Sequence, residues 1–157
     1  MVTGSKRKVY ALGVVTKTKK QVFLIIDDKK PKGKLGRPKN GERRKKRKCK
    51  FNSKTTIKYL YTLKNRFGKF VLFWDKAGFH TSKDVIAYLK RNRDCIRVVS
   101  LPTAAPELNP VEECWRQGKG DISGSVIYDT YEDFKKAVMT YYKYRKFNLD
   151  VGRYLCH

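Results

Sequence analysis

Two β-rich runs, KVYALGVV at 8–15 and QVFLII at 21–26, flank the polar TKTKK, a connection of hairpin length, and predict two antiparallel strands. Helical spacing begins after residue 51. Asn52 or Ser53 is placed to cap a helix whose apolar positions Ile57, Leu60, Tyr61 and Phe67 lie on one side, with Gly68 as its stop. The run FVLFW at 70–74 shows no alternation and predicts a central strand covered on both faces. Thr81 or Ser82 then caps a second helix with Val85, Ile86 and Leu89 inward, and IRVVSL at 96–101 predicts another buried strand. Strand, helix, strand in that order implies parallel pairing through a right-handed crossover.

Prolines punctuate PTAAPELNP at 102–110, after which Asn109, Pro110 and Glu112 have the form of an N-cap, a first-turn proline and a capping-box acid. A last helix is expected from Thr130 to about Arg145, within a helical C-terminal extension over 126–157. Phe134, Ala137, Val138 and Tyr141 make its inner face, and Tyr142, Lys143 and Tyr144 lie on or near the other. Core packing is the first reading of this aromatic segment, ahead of a DNA-stacking or dimer surface. The fold class is thus α/β, a single domain over 1–157 in which helices flank a mixed sheet.

Between the hairpin and the first helix the pattern fails. Residues 28–50 hold almost no apolar side chains and read as a flexible basic loop, broken by Pro and Gly. The candidate DNA contacts there are Arg37 and Lys39 in GRPK, a short AT-hook-like core, and then Arg43, Arg44, Lys45, Lys46, Arg47 and Lys48. A solvated linker is the competing reading. Over the whole chain 38 Lys and Arg against 14 Asp and Glu leave a net charge of +24. That excess points to a polyanion, nucleic acid before membrane, because release of phosphate counterions rewards such a surface. With no apolar run long enough to span a bilayer and no signal-peptide pattern, the expected location is cytoplasmic and nucleoid-associated. Cys49, Cys95, Cys114 and Cys156 form no CxxC pair and are expected as free thiols.

Chemistry enters at two acids. Asp75 follows the 70–74 strand at its carboxyl end, where open α/β sheets gather functional groups, and Glu112 begins the helix after the next strand. Two carboxylates converging there would suit Mg²⁺, a hard ion that keeps water or phosphate in its remaining positions. A basic protein with such a notch suggests phosphodiester chemistry. The plainer alternatives are a turn role for Asp75 and a capping role for Glu112. His80 is a candidate to orient water or contact DNA, or a structural histidine, and Asn109 lies near the same place.

The stretches VLFWDKAGFHTSKDVIAYL and IRVVSLPTAAPELNPVEECW, in this order, resemble the catalytic domain of mariner-like insertion-sequence transposases. In that group a pattern of the type D-N-A-x-x-H precedes L-P-x-x-x-P-x-L-N-P-x-E. The resemblance covers roughly residues 5 to 120, with Lys76 where the family usually has Asn. It implies an RNase H-like fold and a DDE endonuclease that cuts transposon ends and joins them to target DNA with Mg²⁺ or Mn²⁺. Asp75 would be the second acid of the triad and Glu112 the third. The family's first acid lies on a strand next to the one bearing the second. Here the hairpin matches the second and third strands of the family's meander, so the first strand is expected to be missing and the chain inactive alone. Asp27 and Asp28 are poor replacements. A transposase dimer or an N-terminal complementing chain is the implied partner beside DNA. A non-catalytic DNA-binding protein and an RNA-associated basic protein are the alternatives.

Overall fold

The computed structural model describes residues 8–27, 52–75, 77–78, 80–102, 105–124 and 126–154. Two strands, β1 (Val9–Val15) and β2 (Gln21–Asp27), form the antiparallel hairpin in register Leu12↔Leu24 and Val14↔Val22. Helix α1 (Ser53–Phe67) leads to β3 (Phe70–Trp74), α2 (Lys83–Arg91) and β4 (Ile96–Ser100), and a single 3₁₀ turn at Pro106–Leu108 precedes α3 (Pro110–Ser123) and α4 (Tyr131–Tyr144). The basic loop over 28–50, with its named lysines and arginines, lies outside the described residues, as do Cys49 and Cys156.

The helix ends at Asn52, Gly68 and Thr130 form where the sequence puts them, because each is set by a local hydrogen bond. The Asn52 side chain accepts from Thr55 N at 3.0 Å, and the Thr130 hydroxyl accepts from Asp133 N at 3.2 Å. Gly68 closes α1 at φ 69°, a conformation open to glycine at no steric cost, and donates to the Lys64 carbonyl at 2.8 Å.

The hairpin is covered on both sides, and strand alternation decides which residue goes where. Leu12, Val14, Val22 and Leu24 share the face that meets Tyr59 and Leu63 of α1. Phe23 and Ile25 point the other way, into Cys114 and Trp115 of α3 and Val138 and Tyr142 of α4. Gly13 lets α3 come this close: a Cβ there would stand 2.8 Å from the Trp115 ring and 2.7 Å from Phe23. The Tyr59 hydroxyl donates to the Val22 carbonyl at 2.8 Å, and its burial pushes its ionisation far above the usual phenol range.

The second sheet is parallel, β3 beside β4 with Trp74 opposite Ser100, as the crossover predicts. Phe70, Leu72 and Trp74 pack with Leu60 of α1 and Val85 of α2. The opposite face is uncovered: Val71 is 52 % and Phe73 42 % exposed, so β3 is not the doubly covered strand that its apolar run predicts. Helices α3 and α4 lie against the hairpin and leave this face bare. Among the described residues the expected mixed sheet is two two-stranded sheets, β1–β2 and β3–β4, with α1 packed on both. The structure is α/β.

Three face assignments shift. Tyr61 and Ile86, assigned inward, are 57 % and 43 % exposed; on α1 Tyr59 and Leu63 are buried instead, in the stripe Thr56, Tyr59, Leu60, Leu63, which has a cleaner 3–4 spacing. Tyr142, assigned outward, is buried under Phe23 and Trp115. Cys114 is a fully buried free thiol, and burial raises its pKa from 9.0 to about 12. Burial, then the hydrogen bond to Asp121, lifts Tyr141 from 10.0 to about 12. A proton held more tightly in the folded than in the unfolded chain adds stability below the ordinary pKa that is lost as pH rises through the raised one. Thermal unfolding is therefore expected to be flat up to about pH 9, then to fall steadily toward pH 12, with Cys114→Ala showing a shallower decline. Melting temperatures across that range check it, and identical slopes for the two proteins would refute the role given to Cys114.

Candidate functional site

At the carboxyl end of β3 the ladder stops after Trp74, whose carbonyl accepts from Leu101 N at 2.8 Å, and Asp75 is the first residue beyond it. The turn that follows folds back on itself. His80 N donates to the Ala77 carbonyl at 2.8 Å, and the Thr81 hydroxyl to the Gly78 carbonyl at 3.2 Å. This brings the His80 ring flat against Trp74, with centroids 4.3 Å apart and planes 5° from parallel. Trp74 is in turn packed in the α1–α2 core, so the imidazole rests on a rigid floor.

His80 Nδ1 lies 2.9 Å from Asp75 Oδ1 and 3.0 Å from the Asp75 carbonyl oxygen. Both neighbours are acceptors, so Nδ1 carries the proton and holds the carboxylate in place. The same Oδ1 accepts from Ala77 N at 3.2 Å, which is the turn role weighed against metal binding. Both roles are served by one oxygen. Among the described residues Oδ2 has no partner, and the Asp75 side chain is 61 % exposed.

Glu112 stands in the first turn of α3, which starts as the sequence predicts: Pro110 is at the first position and Asn109 Oδ1 accepts from Val111 N at 3.2 Å. The capping box is not completed. The Asn109 N–H that a capping-box glutamate would take is donated instead to the Pro106 carbonyl, at 3.0 Å. Glu112 is exposed, and among the described residues its carboxylate has no ion-pair partner. The adjacent Glu113 differs: Arg116 grips both its oxygens at 2.7 and 2.6 Å and Gln117 adds a bond at 2.8 Å. Those bonds, the arginine's first, hold Glu113 down at about 2. Of two neighbouring acids, Glu113 is held by side-chain bonds and Glu112 is not.

The chain leaves β3 and β4 at the same edge, because Trp74 pairs with Ser100 in a parallel ladder. The structure joins His80 to Asp75 and keeps Asn109 as a helix cap, and among the described residues no hydrogen bond links Asp75 to Glu112. Among the described residues no group of three or more His, Cys, Asp and Glu side chains could together hold a metal ion. The donors still suit a hard divalent cation, since Mg²⁺ is commonly held by one or two carboxylates with water and phosphate oxygens completing the shell. Asp75 offers one open oxygen and Glu112 two. No helix among the described residues is long and apolar enough to cross a membrane.

The sequence model of one family, described as DDE superfamily endonuclease, matches residues 37–135. The match takes in Asp75, His80, Asn109 and Glu112, and ends within α4. Comparison with curated proteins and with solved structures gives no match.

Proposed function

The chain belongs to the DDE superfamily endonucleases, and from that premise we propose that it carries two of the three acids of a transposase catalytic centre, of the mariner-like insertion-sequence kind. The observation that carries this is a family match enclosing both Asp75 and Glu112, each with carboxylate oxygen unused by the fold. Asp75 would hold a divalent ion through Oδ2, with His80 fixing the carboxylate from the other side. Glu112 would bring the second set of oxygens on the first turn of α3. Mg²⁺ or Mn²⁺, when bound, stabilises the charge on the attacking and leaving oxygens of a phosphodiester.

In the reaction proposed, water attacks the phosphorus at a transposon end and a 3′-oxygen leaves. That 3′-hydroxyl then attacks a phosphodiester of the target, releasing another 3′-hydroxyl. The first acid of the triad is proposed to come from a strand beside β3, on an RNase H-like sheet. Two features support this: β3 has one ladder partner among the described residues, and α1 packs on both β1 and β3. Its source would be a complementing chain. Asp75 and Glu112 alone would then bind the ion and cut poorly.

Two measurements test this reading. Mn²⁺ titrated into the labelled chain should broaden amide resonances around Asp75 and Glu112, and Asp75→Asn should remove that broadening; broadening elsewhere, or unchanged in the variant, would rule out the site. A supercoiled plasmid incubated with the chain and Mg²⁺ should be nicked little or not at all. Robust nicking that Asp75→Ala abolishes would show that two acids suffice.

A further inference from the structure

One cavity among the described residues lies away from the two acids. It encloses about 690 Å³ between the hairpin turn, the end of α1 and the segment after α4. That volume lies within the roughly 300–1,000 Å³ usual for ligand sites. Its cationic lining is Lys19, Lys20, Arg66, Lys143 and Lys146, and among the described residues no carboxylate lines it. Its floor is apolar, with Phe147 and Tyr142 buried beneath it.

Three features build this cavity. The chain after α4 is tied back to β2 by Gln21, whose amide donates to the Arg145 carbonyl and whose Oε1 accepts from Phe147 N at 3.1 Å. This holds Lys143 and Lys146 opposite the hairpin turn. In that turn Lys19 has φ 61°, the left-handed conformation that favours glycine and is strained for a lysine. The Thr16 carbonyl accepts from Lys19 N at 2.9 Å and stabilises the bend. Tyr144, the rim's aromatic residue, is 68 % exposed, with the Lys143 ammonium 5.0 Å from its ring centre.

Helices α1 and α4 both end at the cavity, and each C-terminus contributes about half a negative charge. Together they offset about one of five full positive charges, so the cavity stays strongly positive. Its cations are not explained as helix-end complements alone.

We infer that this cavity binds a DNA strand, its phosphates against the Lys19, Lys20, Arg66, Lys143 and Lys146 side chains and a base against Tyr144. Charge without acid selects a polyanion, and an exposed ring beside the cations selects one that carries stacking faces. The inference rests on the reading of the chain as an enzyme acting on DNA. It adds a second point of attachment at the other end of the sheet. Arg66 lies just before β3 and Asp75 just after it, and a five-residue strand spans roughly 16 Å. A strand gripped at the cavity would be steadied while another part of it met the acids.

The test compares two full-length variants that lose equal charge. One carries Lys20→Gln, Arg66→Gln, Lys143→Gln and Lys146→Gln. The other carries Lys54→Gln, Lys58→Gln, Lys90→Gln and Arg93→Gln, all at exposed positions outside the cavity. Fluorescence anisotropy with a labelled single-stranded oligonucleotide is followed across salt concentrations. The cavity variant should bind at least about tenfold more weakly than the control variant, and its salt slope should flatten by about 2 to 3. Tyr144→Leu should weaken binding to single strands more than to duplex. Equal losses in the two charge variants would overturn the cavity while leaving the enzyme reading intact. A wild-type chain that binds no DNA at any salt would overturn both. The Mn²⁺ broadening at Asp75, which needs no DNA, reports on the acids separately.

Discussion

Leu60→Ala is expected to cost about 3–5 kcal/mol of folding stability, near the upper end for a buried leucine. Leu60 is 1 % exposed and meets Leu72 of β3 and Val85 of α2 in a cluster that also takes in Val14 of β1. It thus fills the joint at which one helix holds both sheets. Truncation removes buried apolar area and leaves a cavity that can close only if strands from two separate ladders move together. Urea unfolding gives the number directly. The control is the neighbouring residue: Tyr61 is 57 % exposed, so Tyr61→Ala should stay within about 0.5 kcal/mol. Comparable losses at both positions would mean that α1 presents a different face to the sheets.

Gly118→Ala should destabilise the fold by about 1–3 kcal/mol, although alanine is the better helix former by about 1 kcal/mol. A Cβ at Gly118 would stand 2.0 Å from the Tyr142 hydroxyl and 2.7 Å from the ring carbon that bears it. Tyr142 has little room to give way. Its hydroxyl donates to the Cys114 carbonyl at 3.4 Å, and its ring is wedged among Phe23, Trp115 and Phe147. Removing the hydroxyl relieves the worse contact, so Tyr142→Phe should recover part of the loss. In a double-mutant cycle by thermal unfolding, the pair should therefore be less harmful than the sum of its singles. Strict additivity would place the cost of Gly118→Ala elsewhere.

The two substitutions differ in how visible their sites are in the sequence. Leu60 lies on a helical stripe that periodicity picks out, and Asn52, Gly68, Asn109 with Pro110, and Thr130 mark helix ends because capping is settled within one turn of chain. Gly118 carries no such mark. Its meaning comes from Tyr142, twenty-four residues on, which the helical pattern alone assigned to the outer face of α4. The run FVLFW misled for a related reason. An apolar residue is free to face water, and whether Val71 and Phe73 are covered depends on where α3 and α4 pack, which no local pattern encodes.

The two acids divide in the same way. The order of strands and helices, the parallel pairing, the positions of Asp75 and Glu112 at a strand end and a helix start, and the excess of positive charge are all legible along the chain. Backbone hydrogen bonding and side-chain periodicity act over a few residues and are written locally. Tertiary structure decided that His80 lies on Trp74 and holds one oxygen of Asp75, leaving the other open. It decided that Arg116 takes Glu113 and that Pro106 takes the N–H a capping Glu112 would have used. It also gathered Lys20, Arg66 and Lys146 around one cavity from three distant segments. Each outcome depends on which groups compete for one partner in space, and that competition exists only once the chain has folded.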